Sequence, residues 1–171
     1  INIEAMSIHH ITTEMVSDKP IFKNTLDYNL LNDLLSDESN FLICHNTTFD
    51  VSMLKKESIT LNCNIIDTLS LSRDLYRESS KHKLQYLRYW LGLYKEESKC
   101  NWMVEGRVVA RSALSDVVVL MLLFKKMTGL GYTIEDLMKK STEPIKVANS
   151  TNTESNLVMP FGKYKGMSLS D

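Results

Sequence analysis

The sequence has no cysteine framework, no excess of basic charge and no apolar run of membrane length, and each absence excludes a class of protein. Its three cysteines, Cys44, Cys63 and Cys100, are odd in number and widely spaced, which matches neither a disulfide framework nor a C-x-x-C metal site. Reduced thiols in the cytoplasm are the expectation. A formal net charge of -1 with a pI near 6.5 argues against a protein that coats DNA through a broad basic field, so a nucleic-acid partner must be gripped locally. No apolar stretch approaches the ~20 residues that span a bilayer. No basic region followed by an apolar one opens the chain as a signal peptide would. A soluble, cytoplasmic protein without a membrane partner is expected. Internal repeats are absent too. Because the chain starts at Ile1 rather than Met, further sequence upstream of it is expected.

What remains is an ordinary globular composition. With 171 residues, 43% hydrophobic and 24% charged, the chain has the size and make-up of one domain with a short appendage. Asp18-Lys19-Pro20 places a capping residue and a proline ahead of Phe22, Leu26, Leu30 and Leu34, and the spacing predicts a helix over 20–36 with those four on its apolar face. Phe41-Leu42-Ile43-Cys44 is a short apolar run between polar stretches, the pattern of a buried strand. It delivers His45 and Asn46, after which Phe49, Met53 and Leu54 predict a second helix. The pattern repeats with Cys63-Asn64-Ile65-Ile66 as a strand, Asp67 at the turn and a helix through Leu69 and Leu75.

Strands alternating with helices predict an α/β sheet with a parallel portion, whose ligand site lies beyond the carboxyl ends of the strands. Leu84, Leu87 and Leu91 predict a further helix with Trp90 in the core, and residues 94–106 have no period and read as a loop. Ala113, Val117, Leu120 and Phe124 predict a long helix over 112–126 that Gly129 and Gly131 stop. Thr133 with Asp136 resembles a capping box and opens a short last helix. The Ser, Thr, Asn, Glu and Pro of 141–157 cannot bury enough apolar area to offset ordering. The domain is therefore read as residues 1–140, a linker as 141–157 and the start of a small basic module as 158–171.

Two segments carry the chemistry. In His45-Asn46-Thr47-Thr48-Phe49-Asp50 a strand end is followed by a carboxylate at the start of a helix, and in Arg111-Ser112-Ala113-Leu114-Ser115-Asp116 a carboxylate stands in the first turns of a late helix. Two aspartates at separate element ends can converge on one Mg²⁺ or Mn²⁺, which take oxygen ligands. Taken singly, Asp50 serves equally well as a helix N-terminal carboxylate, and Asp116 as a solvated position. His9 and His10 read as a loop pair that lacks a third ligand for zinc, and His82 as a structural hydrogen-bonding residue.

The order of these segments resembles a known family. Ala5-Met6-Ser7-Ile8-His9-His10-Ile11-Thr12, then His45-Asn46-x-x-Phe49-Asp50, Ile66-Asp67-Thr68-Leu69, His82-Lys83-Leu84 and Ala113-Leu114-Ser115-Asp116 are similar in order and spacing to the DnaQ-like, DEDDh-type 3′-5′ exonucleases. The resemblance implies an α/β, ribonuclease H-like mixed sheet flanked by helices, and a two-metal site for Mg²⁺ or Mn²⁺. It also implies hydrolysis of phosphodiesters at single-stranded or frayed 3′ ends of nucleic acid, DNA above all, with a DNA polymerase as a further partner. By the same resemblance Asp50 and Asp116 are the metal carboxylates of the second and third motifs and are expected to approach each other. Ile8, His9, Asn46 and Phe49 are expected at the substrate, with His45 ordering the loop around Asp50.

Two departures qualify the activity. The family's first motif, D-x-E on a strand, does not occur ahead of Asp50, and Glu4 stands alone in a loop-like stretch. The first strands and first motif are thus expected to be missing from this chain. Arg111 occupies the place of the general-base histidine, five residues before Asp116, and its guanidinium cannot accept a proton, although it can hold a phosphate oxygen. The tyrosine variant of the family is no help, since position 112 is serine. The chain by itself is expected to be inactive. The rival reading is a non-catalytic nucleic-acid-binding or polymerase-associated scaffold of the same fold. The tail Phe161-Gly162-Lys163-Tyr164-Lys165-Gly166 resembles the opening of a small bacterial module that follows DnaQ-like domains, and its basic and aromatic residues suit single strands.

Overall fold

The computed structural model describes residues 1–97 and 113–142. In chain order the described elements are α1 (Ile3–His9), α2 (Thr13–Val16), α3 (Leu26–Ser36), β1 (Phe41–Cys44), α4 (Thr47–Lys56), β2 (Asn64–Asp67), α5 (Thr68–Leu75), α6 (Leu84–Trp90), α7 (Ala113–Thr128) and α8 (Ile134–Thr142), with single 3-10 turns at Phe22–Asn24 and Leu93–Lys95. Strands β1 and β2 pair in parallel, Phe41 opposite Asn64 and Cys44 opposite Asp67. Parallel neighbours cannot be joined by a tight turn and need a crossover, which α4 supplies. The expected alternation of strand and helix is therefore present. The described residues form a two-stranded parallel sheet, the parallel portion that the alternation predicts.

Helix α7 is the spine of the core. Val118, Val119, Leu122, Leu123 and Met127 recur at helical spacing and are almost wholly buried. They meet Ile66 of β2, Leu71 of α5, Leu87 of α6, Leu93 and Leu137 of α8 in one cluster. Each such side chain contributes about 1.5–3 kcal/mol when fully buried. The helix stops at Gly129 and Gly131, the latter at φ 91°, where a side chain would be strained. A reciprocal cap then starts α8: Thr133 Oγ1 accepts from the Asp136 N–H at 3.1 Å, and Asp136 Oδ2 accepts from the Thr133 N–H at 3.0 Å. The expected capping box is thus present. A second, smaller cluster of Leu35, Ile59 and Cys63 lies under α3.

Several sequence expectations are corrected. The helix expected over 20–36 breaks at Thr25, whose extended backbone lets its hydroxyl accept from the Tyr28 N–H at 3.2 Å and cap α3. Tyr28, Leu31 and Leu35 form the inward stripe of α3. The expected apolar face points outward, with Leu26, Leu30 and Leu34 at 86%, 61% and 47% exposure. The second strand is shifted by one residue, because Asp67 both ends β2 and caps α5. Trp90 is 38% exposed and touches Tyr76 edge-on at 5.9 Å. Glu4 sits in the first turn of helix α1, capped by Asn2, and His10 is the left-handed residue that ends that helix. Among the described residues no helix is long and apolar enough to cross a membrane. Helix α8 runs to Thr142. The remainder of the expected linker, the tail, Arg111 and most of the 94–106 loop lie outside the described residues.

Candidate functional site

The two strand ends meet in a network built around Asp67. After β1 the chain turns at Asn46, which has φ 88° and ψ 63°, a left-handed conformation that asparagine tolerates better than most residues. Asp67 Oδ1 accepts the Asn46 N–H at 2.9 Å and the Leu69 N–H at 2.9 Å, while Oδ2 accepts from the Thr47 hydroxyl at 3.3 Å. One carboxylate thus fixes the start of both α4 and α5. His45, half-buried, has Nδ1 2.9 Å from Thr68 Oγ1 and Nε2 2.7 Å from the His82 carbonyl oxygen. Thr68 in turn donates to the Cys44 carbonyl at 2.8 Å. Burial pulls His45 below the usual imidazole range, helped by the positive charges at Arg73 and His82. Its bond to the His82 carbonyl and the charge of Asp67 oppose that shift.

Asp50 lies half-buried in the first turn of α4, beside Cys44. The Cys44 thiol is pushed up to about 12, first by burial and then by the carboxylates of Asp50 and Asp67, so it keeps its proton. Asp116 is exposed in the first turn of α7 and accepts a hydrogen bond from Gln85 Nε2 of α6 at 2.5 Å. One turn further along α6, Arg88 forks onto Glu97, whose two oxygens accept from Nε and an Nη at 2.5 and 2.6 Å. With both partners largely buried, this pair anchors the chain that leaves α6.

The two expected metal carboxylates therefore have different protein partners, one at a strand end and one across the contact of α6 with α7. Among the described residues no group of three or more His, Cys, Asp or Glu side chains could hold a metal ion. Asp50 and Asp116 are oxygen donors of the kind that Mg²⁺ and Mn²⁺ take, but two carboxylates without a third ligand do not make a cage. Ile8 lies within α1. His9, exposed at its end, uses Nδ1 to accept the Ile11 N–H at 2.9 Å. Asn46 is exposed, and the Phe49 ring is 63% exposed. Arg111 is outside the described residues.

A cleft of about 610 Å³ opens beside the strand ends. His45, Asn46 and His82 form part of its wall, and Arg73, Lys81 and Lys83 bring the positive charge; among the described residues no carboxylate lines it. In a chain of net charge -1 this is a local basic site of the kind that attracts anions. Sequence reasoning missed Arg73, Thr68, Gln85 and the Arg88–Glu97 pair. The run Lys81-His82-Lys83 was legible as a signal, but nothing in it tells that Arg73 joins it.

Comparison with known proteins identifies relatives. A 3′-5′ exonuclease family model matches residues 8–130, a span that holds Asp50, Asp116 and the cleft. The chain is 38% identical over 80 residues to the DNA polymerase III subunit epsilon of Buchnera aphidicola subsp. Acyrthosiphon pisum, covering 42% of this chain and 32% of that protein. It is 29% identical over 171 residues to the DNA polymerase III subunit epsilon of Haemophilus influenzae, covering 92% of this chain and 63% of that protein. It is also 27% identical over 172 residues to Exodeoxyribonuclease 10 of Escherichia coli, covering 100% of this chain and 66% of that protein. In each case the chain spans less than two thirds of the relative's length. No solved structure matches the chain.

Proposed function

The chain belongs to the DnaQ-like 3′-5′ exonuclease family, and from that premise we propose that it is the part of such an enzyme that grips and presents the 3′ end of a DNA strand. The observation that carries this reading is the basic cleft of Arg73, Lys81 and Lys83 opening at the strand ends, next to the turn that leads into Asp50. Phosphates of a single strand lie along this cleft, and Phe49 offers an exposed ring on which a base can stack. DNA is favoured over RNA because the relatives are a DNA polymerase subunit and an exodeoxyribonuclease by name. Association with a DNA polymerase and a place in the cytoplasm are part of the same proposal.

Asp50 and Asp116 contribute two carboxylates to a ribonuclease H-like site for Mg²⁺ or Mn²⁺. The ions, when bound by a complete site, supply Lewis-acid activation of water and phosphate. The 171 residues contain no D-x-E ahead of Asp50, and Arg111 can only donate. Hydrolysis by this chain alone is therefore not expected, and Arg111 serves to hold a phosphate oxygen. Incubating the purified chain with a 3′-labelled single strand and Mn²⁺ tests both halves. Binding without release of mononucleotides is the expected result. Release that survives Asp50→Asn with Asp116→Asn would place any activity elsewhere, and absence of binding would remove the presenting role.

A further inference from the structure

His45 has a ring nitrogen for each of two neighbours, and counting protons decides between its forms. The His82 carbonyl can only accept, so Nε2 carries a proton in every state that keeps the 2.7 Å contact. Thr68 has a single hydroxyl proton and gives it to the Cys44 carbonyl at 2.8 Å. Its Oγ1 therefore faces Nδ1, 2.9 Å away, as an acceptor. A neutral ring sets lone pair against lone pair at Nδ1. A doubly protonated ring completes an unbroken run from His82 through His45 and Thr68 to Cys44.

We propose that His45 is a proton-operated clamp, in which uptake of a proton at Nδ1 adds the bond to Thr68 and ties the end of β1, the start of α5 and the segment of His82 into one unit. The clamped segment carries Lys81 and Lys83, so the device sets how firmly one wall of the basic cleft is held. The groups that face His45 act in opposite senses. Asp67 at the end of β2 favours the cation, whereas Arg73 of α5 and His82 ahead of α6 disfavour it, and Lys81 and Lys83 line the same cleft. Burial is the largest influence and lowers the proton affinity. The clamp is therefore open at neutral pH and closes below the ordinary histidine range, which centres near ~6.5. The sign for global stability is separate. As pH falls through ~6.5 the unfolded chain takes up this proton first, so stability is lost progressively until the lower titration point of His45 is reached, and the loss stays constant below it.

Nitrogen-15 NMR of the histidine rings of the full chain, followed through a pH titration, tests the clamp. The neutral His45 ring is expected to carry its proton on Nε2 and to show Nδ1 at the position of an unbonded imine nitrogen. Thr68→Val removes the acceptor and is expected to lower the titration midpoint further, by about one pH unit or tenfold in proton affinity, in line with a hydrogen bond to a charged group. Thr68→Ser, which keeps the oxygen, is expected to restore the wild-type midpoint. A neutral ring protonated on Nδ1, or an Nδ1 resonance displaced by an incoming hydrogen bond, overturns the proposal in the wild-type protein itself, whatever the variants do. A midpoint that Thr68→Val raises or leaves unchanged overturns it as well, since that result means Thr68 donates to the neutral ring.

Discussion

Replacing Asp67 with alanine removes the carboxylate that joins the starts of α4 and α5. Two of its three bonds go to backbone N–H groups at 2.9 Å, and they differ in kind. The bond to Leu69 is a helix N-cap, worth about 1 kcal/mol. The bond to Asn46 is charge-assisted but exposed, which brings it down to about 1 kcal/mol, and the 3.3 Å contact with Thr47 adds little. Asp67→Ala is expected to cost about 2 kcal/mol in urea unfolding and to lower the melting temperature by roughly 4–8 °C. Asp67→Asn keeps one acceptor oxygen, and Asp67→Ser keeps a cap for α5 without reaching Asn46. Each is expected to lose about half as much, on the same cap and hydrogen-bond values. A loss below about 0.5 kcal/mol for alanine, the range of an ordinary surface change, refutes the stapling role. So does an asparagine variant as damaged as the alanine one.

Three further outcomes follow from the geometry. Leu35→Ala, at 5% exposure, is expected to cost about 2–4 kcal/mol, whereas Leu26→Ala, at 86% exposure, stays within about 0.5 kcal/mol; comparable denaturation midpoints for the two would reverse the assigned faces of α3. Cys44, buried and held protonated with its thiol pushed up to about 12, is expected to resist iodoacetamide at pH 8 in the native protein and to react after unfolding, as peptide mass mapping reads. Replacing Arg73, Lys81 and Lys83 together by alanine is expected to weaken single-strand binding and to flatten its salt dependence by about two units of log–log slope, at about 0.7 for each phosphate no longer neutralised; fluorescence anisotropy at several salt concentrations that gives an unchanged slope removes the cleft from the interface.

The local elements were legible where one residue type answers one local need. Phe41–Cys44 is a strand, Gly129 and Gly131 end α7, and Thr133 with Asp136 caps α8, because apolar runs, positive φ and side-chain caps act over a few residues. The face of α3 was misread because Leu26, Leu30 and Leu34 have helical spacing just as Tyr28, Leu31 and Leu35 do, and only the neighbours in space decide which stripe is covered. Aspartates 50 and 116 were singled out by motif order, yet their hydrogen-bonding neighbours were not. Nothing in the chain before folding tells that Gln85 reaches Asp116 or that Arg73 stands with Lys81 and Lys83, since these groups meet across helices far apart in sequence.

The crossover between β1 and β2 has a consequence for the order of folding events. Partners such as Phe41 and Asn64 are 23 residues apart in the chain, and closing a loop of that length costs on the order of 3 kcal/mol before the first ladder bond forms. An isolated pair of short strands does not recover such a sum. Helix α4 shortens the span by winding ten of the intervening residues, and Asn62 and Cys63 both donate backbone bonds to the Leu35 carbonyl, at 2.9 and 3.0 Å, which returns the chain to the end of α3. The strand ladder is then a late event that waits for the helices on either side of it, and a change that slows α4, such as a proline at its centre, delays the sheet rather than the helical core around α7.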